Sequence, residues 1–199
     1  MKRKVKFIFA FVILILLCFK NIYANELNIL KKGEETAKVT IKIFSSLTCP
    51  YCADFHLNIL KNLEKDFLKN KTLKIEHYAF PLDLAALNAE KIVRCSSSPE
   101  AKFEILHKIY DKQKKWAVGS DINKINDSLI KIGVESNLQK KDLIMCLKNE
   151  SSQDAILNER IKAQKKYNIT STPTIYINDR KYEDKHEFKS FKKQIDKLL

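Results

Sequence analysis

Val39-Thr40-Ile41-Lys42-Ile43-Phe44-Ser45-Ser46-Leu47-Thr48-Cys49-Pro50-Tyr51-Cys52 is the stretch that decides how this chain folds. Val39, Ile41 and Ile43 alternate with Thr40, Lys42 and Phe44, the pattern of a strand, which stops at Ser45-Ser46. Pro50 suits the first helical position, where no N–H is needed and its fixed φ favours the helix. Cys49 then falls at the N-cap, with its sulfur facing the free N–H groups of Tyr51 and Cys52. Those donors and the helix dipole favour a thiolate, as Cys-X-X-Cys motifs do for their first cysteine. Cys52 lies one turn on, in reach of a disulfide with Cys49.

Working outward, Cys52, Phe55, Ile59, Leu63 and Phe67 form a helical stripe. Leu73 to Phe80 reads as a second strand, stopped by Pro81. Strand, helix, strand is a βαβ unit, so the two strands are expected parallel with a right-handed crossover. From Leu84 to Tyr167 the pattern is helical: Ala85–Ser96, Pro99–Val118, Asp121–Ile132 with Gly133 as its C-cap, a helix opened by a Ser136/Gln139 capping box and carrying Cys146, and Ser152–Tyr167. Thr172-Pro173 breaks the chain. Thr174–Asn178 reads as a strand with Lys181–Glu183 as hairpin partner. A last helix places Phe188, Phe191, Ile195 and Leu198 on one face.

Residues 1–24 read as a secretory signal. Lys2, Arg3, Lys4 and Lys6 precede an apolar run from Phe7 to Phe19, and Ile22-Tyr23-Ala24 offers a cleavage site. The run is shorter than the ~20 residues that span a bilayer, though an uncleaved anchor is the alternative. Cys18 belongs to this segment, and Leu17 before it is too large for a lipoprotein signal. Residues 25–199 suffice for one domain, and their cysteines, Cys49, Cys52, Cys95 and Cys146, are even in number, as suits an exported protein. The formal charge of +13 comes from 37 basic residues, almost all lysine, dispersed and mixed with Asp and Glu. That is a solvated surface rather than an arginine-clustered phosphate site, so no nucleic-acid partner is expected.

Ser46-Leu47-Thr48-Cys49-Pro50-Tyr51-Cys52 with Phe55-His56, Phe80-Pro81-Leu82 and Thr172-Pro173-Thr174 resemble the DsbA-type thiol:disulfide oxidoreductases. The resemblance implies a thioredoxin-like α/β fold, a central mixed sheet flanked by helices, with a helical insertion at about 84–168 in a domain spanning 25–199. It implies that Cys49 and Cys52 form the redox-active disulfide. It also makes Pro173 a cis proline beside them, so that Pro50, Tyr51, Thr172 and Pro173 form the substrate-binding loop. The expected activity is disulfide formation in reduced, unfolded exported polypeptides by a periplasmic monomer. A membrane oxidase of the DsbB kind would reoxidise it, and neither cofactor nor metal is needed. Tyr51 departs from the family's frequent His and gives the glutaredoxin motif. The potential is therefore open between about −120 mV for DsbA and roughly −200 to −230 mV for glutaredoxins.

Other readings stay beside this one. An exported reductase shares the motif. An isomerase of the related type needs an N-terminal dimerisation domain, for which Asn25–Ala37 leave no room. A metal-binding protein would use Cys49, Cys52 and His56, but no second Cys-X-X-Cys or His-X3-His pair completes four ligands. Cys95 and Cys146 are either a structural disulfide bracing the helical block or two buried thiols. His56 either borders the active site or is a core residue, His77 lies in a strand, His107 and His186 read as surface or helix-end residues, and Trp116 reads as core.

Overall fold

The computed structural model describes residues 29–199; the expected signal at 1–24 lies outside them. Five strands form one mixed sheet: β1 (Leu30–Gly33), β2 (Val39–Ser45), β3 (Leu73–Ala79), β4 (Thr174–Ile177) and β5 (Arg180–Lys181), in the order β1-β3-β2-β4-β5. β2 and β3 are parallel, with Ile41 opposite Ile75 and Ser45 opposite Ala79, as the βαβ reading requires. β4 runs antiparallel to β2. β1 pairs antiparallel with β3, and the sequence reading did not anticipate it: Lys31, Lys32 and Gly33 carry no strand signature, and the sheet edge recruits them through backbone bonds. The hairpin partner of β4 is Arg180–Lys181 rather than Lys181–Glu183. Asn178 adopts φ 53° and takes the place of the missing turn glycine.

The crossover helix α1 opens as an α-helix at Pro50–Asp54, passes through a π-helical segment at Phe55–Leu60, returns to α at Lys61–Leu63 and ends in a π segment at Glu64–Leu68. Cys52, Phe55, Ile59, Leu63 and Phe67 are all buried against one sheet face, the anticipated stripe. Each such side chain contributes about 1.5–3 kcal/mol through the apolar area it removes from water. The opposite face carries Phe44, Tyr78 and Phe80, with the Phe44 and Tyr78 rings stacked at 4.5 Å.

Between β3 and β4 lie α2 (Leu84–Arg94), α3 (Pro99–Asp111), α4 (Gln113–Trp116), α5 (Ile122–Val134), α6 (Lys140–Lys148) and α7 (Glu150–Tyr167). α8 (Phe188–Asp196) closes the fold, with Phe191 stacked on Tyr182 at 3.9 Å. Several predicted boundaries move for local reasons. Asp83 caps α2 by accepting from Ala86 N at 2.7 Å, and Asn149 caps α7. The single helix expected over Pro99–Val118 breaks at Lys112, which lets Trp116 bury its ring and donate to Ile109 O. Gly133 is no C-cap. It lies inside α5, where a Cβ would meet Leu143 Cδ2 at 2.5 Å, so it serves close packing of α5 on α6. Nor is Ser136 an N-cap, since its hydroxyl donates back to Ile132 O and Gln139 opens α6.

Two devices tie the helical block together and to the sheet. Cys95, at the end of α2, is bonded to Cys146 on α6, with an S–S distance of 2.07 Å and Cα atoms 5.8 Å apart. A buried polar chain runs from Ser45 Oγ to His77 Nδ1 (3.3 Å), from His77 Nε2 to Glu90 (2.7 Å), and on past Arg94 to Glu159, which accepts from Ala79 N. Burial pushes the Glu90 carboxyl up, but His77 and Arg94 outweigh it and hold its pKa below the ordinary value.

Candidate active site

The end of β2 aims the chain at the sheet's carboxyl edge, where Ser46 and Thr48 pin the connection to α1. Ser46 Oγ lies 3.1 Å from Thr48 Oγ1 and accepts from Leu82 N, while Thr48 donates to Asp83 at 2.7 Å. Cys49 then takes the extended N-cap conformation, φ −75° and ψ 120°, with Pro50 in the first turn. Its carbonyl accepts from Cys52 N and Ala53 N. From the helical block, Gln113 Nε2 donates to Leu47 O at 2.8 Å and Cys49 O at 3.0 Å.

Cys49 and Cys52 are both free thiols, so the structure shows the reduced pair and not the disulfide expected of the resting enzyme. Exchange chemistry requires both forms, and this is the dithiol. The two sulfurs differ sharply. Cys49 is 8 % exposed and its pKa is lowered to about 5. The leading cause is the Cys52 thiol, which donates to it; burial opposes, and Thr172 and the amides of Cys52 and Tyr51 assist. The sequence reading credited the amides first. They make no short bond to the sulfur in the dithiol, so their part is smaller than that of Cys52. Cys52 is 1 % exposed, and burial, reinforced by Cys49, drives its pKa far above the ordinary thiol value.

Thr172-Pro173 is a cis peptide, and it places Thr172 O 3.4 Å from Cys49 Sγ, which donates to it. The residues singled out around the motif thus meet in one place, with Tyr51 at the tip and 76 % exposed. Beside them opens a cavity of about 660 Å³ whose walls include Pro50, Tyr51, Ala53, Leu57, Tyr110 and Gln113.

His56 is not grouped with the cysteines. It is buried, its Nε2 lies 2.6 Å from His107 Nδ1, and its ring packs on Tyr110 at 4.6 Å. Burial, then the neighbouring His107, lowers its pKa well below the ordinary value. Among the described residues no cluster of three or more His, Cys, Asp or Glu side chains is arranged to hold a metal ion. His77 is buried and bonded rather than a plain strand residue, and Trp116 is core, as expected. Sequence reasoning read Tyr110 as a core residue of the Pro99–Val118 helix, which it is, and passed over Asp83 and Gln113. Nothing in their local spacing marks them, because the folding of the insertion over the motif brings them there.

The thioredoxin family model matches residues 27–197. The chain is 27 % identical over 179 residues to disulfide bond formation protein D of Bacillus subtilis, covering 84 % of this chain and 75 % of that one. Among solved structures it is similar to alpha-DsbA1 of Wolbachia pipientis, with a TM-score of 0.78, 25 % identity, and coverage of 89 % and 94 % of the two chains. Oxidised BdbD of Bacillus subtilis shares the fold, with a TM-score of 0.72, 22 % identity, and 85 % and 92 % coverage. With the helical insertion between β3 and β4 and the Cys-Pro-Tyr-Cys turn at the sheet edge, these matches place the chain in the thioredoxin family, as a thiol:disulfide oxidoreductase of the DsbA type.

Proposed function

We propose that Cys49 and Cys52 are the exchanging pair and that the protein works as an oxidase, forming disulfides in reduced, unfolded exported polypeptides. One observation carries the reading: the dithiol holds a Cys49 thiolate near pKa 5 beside a Cys52 thiol that stays protonated. A stabilised thiolate makes the reduced enzyme the favoured product and the oxidised enzyme a donor of disulfides. A substrate thiolate attacks Cys49 Sγ and displaces Cys52. A second substrate thiolate then attacks the substrate sulfur of the mixed disulfide and releases Cys49 as its stable anion. Pro50, Tyr51, Thr172 and Pro173 form the surface against which the substrate segment lies, with the Thr172 carbonyl beside the reacting sulfur.

The family resemblance supports a monomer held in the periplasm as the domain of residues 25–199, with residues 1–24 as signal, and a DsbB-like membrane oxidase as its reoxidant. Among the described residues no helix is long and apolar enough to cross a membrane. The lysines lie beside acids, as in Lys31–Glu35, Lys74–Glu76 and Lys192–Asp196, which supports a solvated surface rather than a nucleic-acid site. Equilibration with glutathione buffers tests the direction: a potential near about −120 mV supports the oxidase, and one near about −270 mV makes the protein a reductase. Loss of client oxidation in Cys49→Ser tests the sulfur that the substrate attacks, and fractionation of cells expressing the full chain tests export.

A further inference from the structure

The carbonyl oxygen of Cys49 has more donors than it needs. Among the described residues Gln113 Nε2 lies 3.0 Å from it, Cys52 N 3.1 Å and Ala53 N 3.2 Å. A carbonyl has two lone pairs, so one of these donors is surplus. Ala53 N makes the regular bond of the opening turn of α1, whereas Cys52 N makes the tighter bond to the third residue back. Gln113 comes from α4 and is firmly placed: it is buried, and its amide also donates to Leu47 O at 2.8 Å. The Cys52 N–H has a second possible acceptor. Cys49 is the N-cap, and the side chain at that position ordinarily receives the N–H two or three residues on, here Tyr51 or Cys52. In the dithiol that cap is unmade: the Cys49 side chain accepts no capping bond, and its sulfur donates to Thr172 O at 3.4 Å.

We propose that Gln113 is a positioning residue for the exchange: by keeping the Cys49 carbonyl satisfied, it frees the Cys52 N–H to cap the Cys49 sulfur when that sulfur becomes charged. The proposal rests on Cys49–Cys52 being the exchanging pair. Charge reaches Cys49 when the second substrate thiolate attacks the substrate sulfur of the mixed disulfide. The substrate S–S bond forms, the substrate–Cys49 bond breaks, and the electron pair stays on Cys49 Sγ. The substrate is oxidised and the enzyme pair reduced, and Cys52 Sγ takes the proton that the second substrate thiol gave up. The charged Cys49 sulfur has no hydrogen left for Thr172 O and needs donors instead. Turning the Cys52 N–H from oxygen to sulfur leaves the carbonyl held by Ala53 and Gln113, so no buried acceptor is stranded. The trade is favourable because hydrogen bonds to ionised acceptors are the stronger ones. Without Gln113 the same move would cost the carbonyl one of its two bonds.

The test is Gln113→Met in the full-length protein, which keeps the length of the side chain and removes its donors. Ultraviolet thiolate titration is expected to raise the Cys49 midpoint by roughly half to one pH unit, the range of one net hydrogen bond. The equilibrium with glutathione should shift towards the enzyme disulfide by the same factor, about three- to tenfold. An unchanged or lower midpoint overturns the proposal, and a drop in melting temperature with no change in midpoint makes Gln113 a structural tie alone. A second measurement needs no variant. In NMR of the wild-type protein the Cys52 amide proton should move downfield with the Cys49 midpoint, while the Gln113 side-chain amide protons keep their shifts. A Cys52 amide that stays in place through that titration overturns the proposal even where the variant fails to fold. A wild-type protein that exchanges no disulfide with glutathione would sink the underlying reading itself, whereas an active wild type with an unshifted variant sinks only the role of Gln113.

Discussion

Titrating the Cys49–Cys52 pair against glutathione buffers from about pH 4 to about pH 9 follows the protons that the dithiol holds. Cys49 ionises near 5, and Cys52 stays protonated far beyond the range. Below that midpoint two protons accompany two electrons, and the potential falls by about 59 mV per pH unit; above it one proton does, and the slope halves to about 30 mV. The same ionisation sets how oxidising the pair is. At about pH 7 a thiol with a pKa near 5 is two units past its midpoint, which favours the dithiol by about 2.7 kcal/mol. The sulfur is only part-buried, so screening trims this to about 1.5–2.7 kcal/mol. At 30 mV per 1.4 kcal/mol, the pair is more oxidising by about 30–60 mV than one whose leading thiol keeps its ordinary pKa. The sign is that of a depressed pKa: the extra stability of the reduced protein is complete above the unfolded thiol value and is lost as pH falls through about 5. A slope of about 59 mV persisting to about pH 8 would show Cys49 to be an ordinary thiol and refute the reasoning.

Three further outcomes follow from the packing. Cys52→Ala removes the leading donor to Cys49, so ultraviolet thiolate titration should show the Cys49 pKa raised by roughly one to two units; a midpoint still near 5 would restore the helix amides to first place. Cys95→Ala/Cys146→Ala opens a loop with a sequence separation of 51 residues and should lower unfolding stability in urea by up to about 4 kcal/mol, with exchange at Cys49 retained. Glu90→Gln strips the buried carboxylate that His77 and Arg94 share, and denaturant unfolding should record a loss of about 3–5 kcal/mol; a neutral result would mean that the chain from Ser45 to Glu159 contributes nothing to stability.

The part of the fold written in the sequence is the part made of local periodicity. Val39–Phe44, the stripe from Cys52 to Phe67 and the strand before Pro81 each display their burial as spacing, and the βαβ unit follows from them. Cys49, Cys52 and the cis Thr172–Pro173 bond were legible because chemistry and resemblance attach to short motifs. What could not be read depends on partners distant in the chain. β1 exists because β3 offers an edge, and Gly133 is small because Leu143 lies against it. Gln113 lies in an ordinary helical segment and gains its meaning only when α4 folds over the end of β2. The two π-helical stretches of α1 likewise left no mark in the apolar stripe.

The pair of hydrogen bonds that Gln113 donates to the carbonyls of Leu47 and Cys49 has a mechanical consequence. A cover that swung open to admit a client would have to tear a buried amide from two backbone acceptors at the reacting turn itself, and would disturb the very residue it serves. The roof over the sulfurs is therefore a fixed anvil rather than a hinged door. Incoming chains must do the bending, which suits the proposed action on reduced, unfolded polypeptides.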